Sequence, residues 1–131
     1  MKILIVEDDY DSALLMQLAL SKEEPSAALL TANGWRQCQD LGVQLSGLDV
    51  VVLDLMLIDG TGVQAWEEIK RHCHNHPALW ICSAMDAERA RELLDTLHYP
   101  YQLMPKPLDR TRVRELMTTI KKKGQSPCKV N

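Results

Sequence analysis

The sequence predicts an α/β domain: a five-stranded parallel sheet with helices on both faces. Five short apolar runs, rich in Val, Ile and Leu, alternate with stretches of helical period. The third run, "DVVVLD", is apolar throughout, as a strand covered on both faces is. Regular strand–helix alternation supplies a crossover after each strand, and crossovers of that kind produce parallel pairing.

Lys2 to Val6 is the first strand, a β-branched and Leu run that ends in acids. A helix begins at Asp11 or Ser12, with Ser12 as its cap; Leu14, Leu15 and Leu18 form its apolar stripe and Pro25 ends it. Ala27 to Ala32 is the second strand. Gly34 to Leu45 reads as a weaker helix, interrupted by Gly42. Asp49 to Asp54 is the third strand, followed by a helix with Val63, Trp66 and Ile69 on one face that ends near "HCHNHP". Ala78 to Ser83 is the fourth strand. Asp86 caps a helix with Ala90, Leu93, Leu94 and Leu97 on its apolar side. Tyr99 to Met104 is the fifth strand, with Pro100 marking a strand start or an edge. Asp109 caps the last helix, whose face is Val113, Leu116, Met117 and Ile120. Lys121 to Lys123 sit at its C-terminus, where the helix dipole favours cations.

The 131 residues suit one domain with a sizeable core. We place that domain at residues 1–122 and read residues 123–131 as a tail or the start of a linker. Apolar residues make up 46% and charged residues 25%, the balance of a soluble globular protein. A net charge of -3 gives no pull toward nucleic acid or an anionic membrane, so neither is expected as a direct partner. No apolar run approaches the roughly 20 residues of a membrane helix. "MKILIVEDD" passes from apolar residues straight into acids without a small-residue cleavage site, so it is not a signal peptide, and a cytoplasmic location is expected. Cys38, Cys73, Cys82 and Cys128 contain no C-x-x-C spacing and read as free thiols.

In a sheet of this kind ligands bind beyond the carboxyl ends of the strands. Those ends carry Glu7 and Asp8, then Asp54, then Ser83, then Lys106. Carboxylates gathered there repel one another unless a cation joins them. An all-oxygen set of few carboxylates suits Mg²⁺ better than Ca²⁺. A lysine and a hydroxyl beside it are what a phosphoryl group requires. The set points to transfer of a phosphoryl group onto an Asp nucleophile.

With "ILIVEDD", "VVLDLMLIDGTG", "ICSA" and "MPKP" in this order at strand ends, the chain resembles the receiver domains of bacterial two-component response regulators from Met1 to about Lys122. The resemblance implies the flavodoxin-like strand order 2-1-3-4-5. It makes Asp54 the phosphoacceptor and Glu7 and Asp8 the acidic pair that holds Mg²⁺ with Asp54 and the backbone carbonyl of Met56. Ser83 and Lys106 become the hydroxyl and the lysine that bind the phosphoryl group, and the Lys106–Pro107 bond is expected to be cis. Asp59 then falls in a turn after the site.

The same resemblance implies a sensor histidine kinase or phosphotransfer protein as donor and a protein that catalyses only its own phosphorylation and dephosphorylation, not an enzyme acting on other substrates. It further implies a switched interaction face made by the fourth helix, fifth strand and fifth helix, through which homodimers form. Three positions depart from the pattern. Ile58 stands where relatives carry Pro. Leu103 stands where they carry a switch aromatic, and Tyr101, on the same side of the strand, is the candidate substitute. "HYPY" stands where winged-helix regulators carry an acidic pair used in a charged dimer contact.

Competing readings are weaker. "IDGTG" is similar to the D-x-D-G-T signature of aspartyl-phosphate phosphatases, but Leu57 occupies the nucleophile position. An interaction module independent of phosphorylation would not need the acids, Ser83 and Lys106 together. His72, Cys73, His74 and His76 lack zinc-ligand spacing and precede a strand, at the opposite end of the sheet from the acids. Trp66 and Trp80 read as core or half-buried side chains.

Overall fold

The computed structural model describes residues 1–124. Along the chain run β1 (Lys2–Val6), α1 (Tyr10–Glu23), β2 (Ala28–Ala32), α2 (Trp35–Leu41), β3 (Val50–Leu53), α3 (Gly62–Lys70), β4 (Ala78–Ser83), α4 (Ala87–Asp95), β5 (Gln102–Pro105) and α5 (Arg110–Gly124). The five strands form one parallel sheet in the order 2-1-3-4-5, as expected. Met56–Leu57 and Gly60–Thr61 pair antiparallel as a short ribbon between β3 and α3.

The period-2 alternation of the strands divides the core in two. Ile3, Ile5, Val50, Val52, Trp80, Cys82 and Met104 face α1 and α5. Leu4, Val6, Val51, Leu53, Leu79 and Ile81 face α2, α3 and α4. β1 and β3 lie in the middle of the sheet and are buried on both sides, which is why they read as unbroken apolar runs. Burial of each such side chain contributes about 1.5–3 kcal/mol. Trp66 and Trp80, both 1% exposed, anchor the two halves.

Several local expectations are corrected. The cap of α1 is Asp9, whose carboxylate accepts the Ser12 N–H at 2.9 Å, and the helix starts at Tyr10. Its buried stripe is Met16, Ala19 and Leu20; Leu14, Leu15 and Leu18 are exposed. Both stripes have helical spacing, and the three-residue connection from β1 fixes which one meets the sheet. The weak helix ends at Leu41 and continues as a 3₁₀ turn over Gly42–Leu45, because Gly42 takes a φ of 51° that a right-handed helix cannot carry. Asp86 occupies the cap position of α4 without a side-chain hydrogen bond, and Leu93 is 37% exposed while Ala90 and Leu94 are buried. β5 starts at Gln102, two residues past Pro100 and later than expected. Asp109 does cap α5, accepting the Thr111 N–H at 2.9 Å. α5 runs to Gly124; the reading of a tail beyond it, with Cys128, lies outside the described residues. No described helix is long and apolar enough to cross a membrane.

Candidate functional site

The parallel register brings the strand ends together. β1 ends level with β3, since Val6 pairs with Leu53, so Glu7 and Asp54 leave the sheet side by side. Ser83 ends β4 opposite Pro105 of β5, which places Lys106 next in line; the Lys106 N–H donates to the Ser83 carbonyl at 2.9 Å. The Lys106–Pro107 bond is cis, as expected.

Carboxylate oxygens of Glu7, Asp8 and Asp54 lie within 4.8 Å of one another, and this is the one cluster of three potential metal-ligating side chains among the described residues. Asp8 is exposed, whereas Glu7 and Asp54 are only 9% and 6% exposed. Lys106 Nζ pairs with Glu7 Oε1 and lies 3.0 Å from Asp54 Oδ2. Asp54 Oδ1 accepts the Met56 N–H at 3.1 Å, which ties the nucleophile candidate to the loop behind it. Ser83 is 1% exposed, and its Oγ accepts the Met85 N–H at 3.1 Å.

One ammonium is therefore shared between two carboxylates. Burial raises the pKa of Glu7 to about 7; Lys106 pulls it down and Asp54 pushes it up. Burial also works against the Lys106 charge, but its bonds to Glu7 and Asp54 outweigh that and hold it above the ordinary lysine value. The lysine gains two partners, while each acid gains part of one. Three carboxylates against one ammonium leave excess negative charge, and the donor set is all oxygen. That fits a hard divalent ion such as Mg²⁺.

Gly62 makes the site's backbone possible. A Cβ there would strike the Asp54 carbonyl and stand 2.9 Å from Leu55 Cα. Thr61 and Gln64 form a reciprocal capping box that starts α3 beside it.

The remaining candidates fall elsewhere. Tyr101 and Leu103 both pack on the α3–α4 side of the sheet, so they do share a face. The Tyr101 hydroxyl points to Asp95 at the end of α4, 3.4 Å away. The His72–His76 segment follows α3 and leads into the N-terminal end of β4, away from the acids. Sequence reasoning missed the work of Asp59. Its carboxylate accepts the N–H groups of Trp35 and Arg36, both at 3.2 Å, and so caps α2 from a distant loop. The signal was available as an absence: α2 has Gly34 at its own cap position and no local side-chain cap.

A family model described as the response regulator receiver domain matches residues 3–118. The transcriptional regulatory protein KdpE of Staphylococcus aureus is 30% identical over 113 residues, 86% of this chain and 47% of KdpE. The chain thus spans about half the length of that curated relative. The signal receiver domain of a DNA-binding response regulator from Colwellia psychrerythraea superposes with a TM-score of 0.79 at 22% identity, covering 93% of this chain and 98% of its own. A two-component response regulator from Clostridium difficile gives 0.78 at 17% identity, covering 96% and 99%. These two likenesses concern the fold.

Proposed function

The chain belongs to the response regulator receiver domain family, and on that premise we propose that Asp54 accepts a phosphoryl group with the help of Mg²⁺. The observation that carries this is the meeting of Glu7, Asp8 and Asp54 within 4.8 Å, with Lys106 held 3.0 Å from Asp54. The donor is the phosphohistidine of a sensor histidine kinase or of a phosphotransfer protein.

An Asp54 oxygen attacks phosphorus in line. The N–P bond of the donor breaks, its electron pair leaves with the imidazole, and an acyl phosphate remains on Asp54. Bound Mg²⁺ supplies the positive charge that lets an anionic nucleophile meet an anionic donor. Glu7, Asp8, Asp54 and the Met56 carbonyl would hold it. Lys106 turns from its carboxylate partners to the new phosphoryl oxygens. Ser83 already accepts the Met85 N–H, so its own hydroxyl proton is free to donate to a phosphoryl oxygen.

Ser83 and Lys106 lead directly into α4 and α5, so a group that draws on both biases the α4–β5–α5 face. That face is the output surface and the place where a homodimer forms. The consequence is a phosphorylation-dependent switch in two-component signalling, working in the cytoplasm. The test is intact mass after acetyl phosphate with Mg²⁺. One added phosphoryl group is expected, lost in Asp54→Asn and in excess chelator. Label that persists in either condition overturns the assignment.

A further inference from the structure

Resting on the receiver reading for its metal, we propose that Asp59 is a positioning residue: it clamps the ribbon that carries Met56 to α2 and so holds the metal-facing backbone of the site in place. The ribbon pairs Met56 with Thr61 and Leu57 with Gly60, with Ile58 and Asp59 at its tip. At its base the Met56 N–H bonds Asp54 Oδ1. At its tip Asp59 makes three contacts with α2. The carboxylate takes the Trp35 and Arg36 N–H groups, and the Asp59 carbonyl accepts the indole N–H of Trp35 at 2.7 Å.

Gly34 completes the clamp. Its φ of 176° is extended backbone that any residue adopts, so no conformational demand calls for glycine there. The demand is space: a Cβ at Gly34 would sit 2.6 Å from the Asp59 Cγ. A Cβ at Gly60 would first strike Gln64 Oε1 and would also come 3.0 Å from Trp35 Cδ1, so the ribbon lies close against both of its ties. Ile58 is 86% exposed and makes no comparable anchor, so the tip is held through its neighbour. A ribbon of two pairs is not stable by itself. Tied at one side by the Thr61–Gln64 box and at the other by Asp59, it presents Met56 in one place.

Removing Asp59 frees the tip, and the Met56 carbonyl loses its fixed position. A Cβ at Gly34 does the same without touching Asp59, because the carboxylate must swing away. The experiment is Mg²⁺ titration by calorimetry on wild type, Asp59→Ala, Asp59→Asn, Gly34→Ala and the Gly34→Ala/Asp59→Ala double variant. Amide hydrogen exchange at Met56 and Trp35 is followed alongside. Ile120→Val, far from the site on α5, controls for general loss of stability.

Asp59→Ala and Gly34→Ala should each weaken Mg²⁺ by about 3- to 10-fold and speed Met56 exchange. The double variant should be no worse than either single, since both break one contact. Asp59→Asn, which keeps one of the two acceptors and the Asp59 carbonyl contact, should fall between wild type and Asp59→Ala, and Ile120→Val should change nothing. Unchanged Mg²⁺ affinity and Met56 exchange in Asp59→Ala, or additive losses in the double variant, overturn the proposal. Wild type that binds no Mg²⁺ sinks the receiver reading instead. The clamp is then decided by Met56 exchange, which must still quicken in Asp59→Ala and Gly34→Ala.

Discussion

The ammonium of Lys106 stands 3.0 Å from Oδ2 of Asp54 while also pairing with Glu7, so two buried acids divide one cation. Burial raises the Glu7 pKa to about 7 from an ordinary 4.5; the Lys106 bond opposes the rise and Asp54 adds to it. Between those values the folded state binds more protons than the unfolded chain, so stability falls as pH rises through that window. Lys106, held above its ordinary value, contributes stability that is lost only at strongly alkaline pH. Thermal melts in chelator from pH 4.5 to 7.5 should show wild type losing ground steadily relative to Glu7→Gln. Parallel curves for the two proteins would contradict the raised Glu7 pKa.

Gly62→Ala should be among the most damaging single-methyl changes in the protein. The added Cβ meets backbone on two sides, the Asp54 carbonyl and Leu55 Cα, and neither can turn aside as a side chain would. A cost of about 2 kcal/mol or more is expected. Asp54 moves with its carbonyl, so Mg²⁺ affinity should drop as well. Denaturant unfolding and metal titration of the same variant measure both effects.

Phosphoryl groups on Asp54 should be long-lived. Met56 and Met85 bond the Asp54 and Ser83 side chains through their own N–H groups, so both residues stand at the site. Neither thioether accepts a strong hydrogen bond from an attacking water or orients it. Self-dephosphorylation should take minutes or longer. Met56→Asn with Met85→Glu should shorten the lifetime, by a factor on the order of 10² if positioning is well achieved. The decay of purified phospho-protein with Mg²⁺ gives the answer, and decay of wild type within seconds would refute it.

Two thiols should resist alkylation in the folded protein. Burial raises Cys38 to about 12 and Cys82 to about 11, which leaves almost no thiolate at neutral pH. Iodoacetamide at pH 7.5 followed by peptide mapping should find both unmodified until denaturant is added. Cys73 is also raised by burial, and its Sγ faces the Leu45 carbonyl. It should react slowly, but before the other two.

The sheet was legible because its strands follow the strongest sequence signals. The run ending at Asp54 and the run Ala78–Ser83 are buried on both faces, and their composition says so. The acids could be placed with Ser83 and Lys106 because Glu7 and Asp54 directly follow such runs, Ser83 ends one, and Lys106 directly follows the edge strand β5. Helix orientation was less legible. In α1 two stripes compete at the same period, and Leu14, Leu15 and Leu18 lose to a less apolar set that happens to face the sheet. Asp59 escaped because its partners, Trp35 and Arg36, lie 24 and 23 positions away. A cap supplied across the fold leaves no local mark except the lack of a local one.

Chain order gives the site a history as well as a geometry. Glu7 precedes Lys106 by 99 positions and Asp54 precedes it by 52. At the usual pace of synthesis, Asp54 is made roughly 3–10 s before its cation. During that interval β1 and β3 can pair, but their terminal acids then face each other with no lysine between them. The edge strand β5 closes the sheet and delivers Lys106 in the same event. A chain that ends short of residue 106 lacks Lys106, and one without β5 leaves β4 as an open edge, the kind of edge that mispairs with a neighbour.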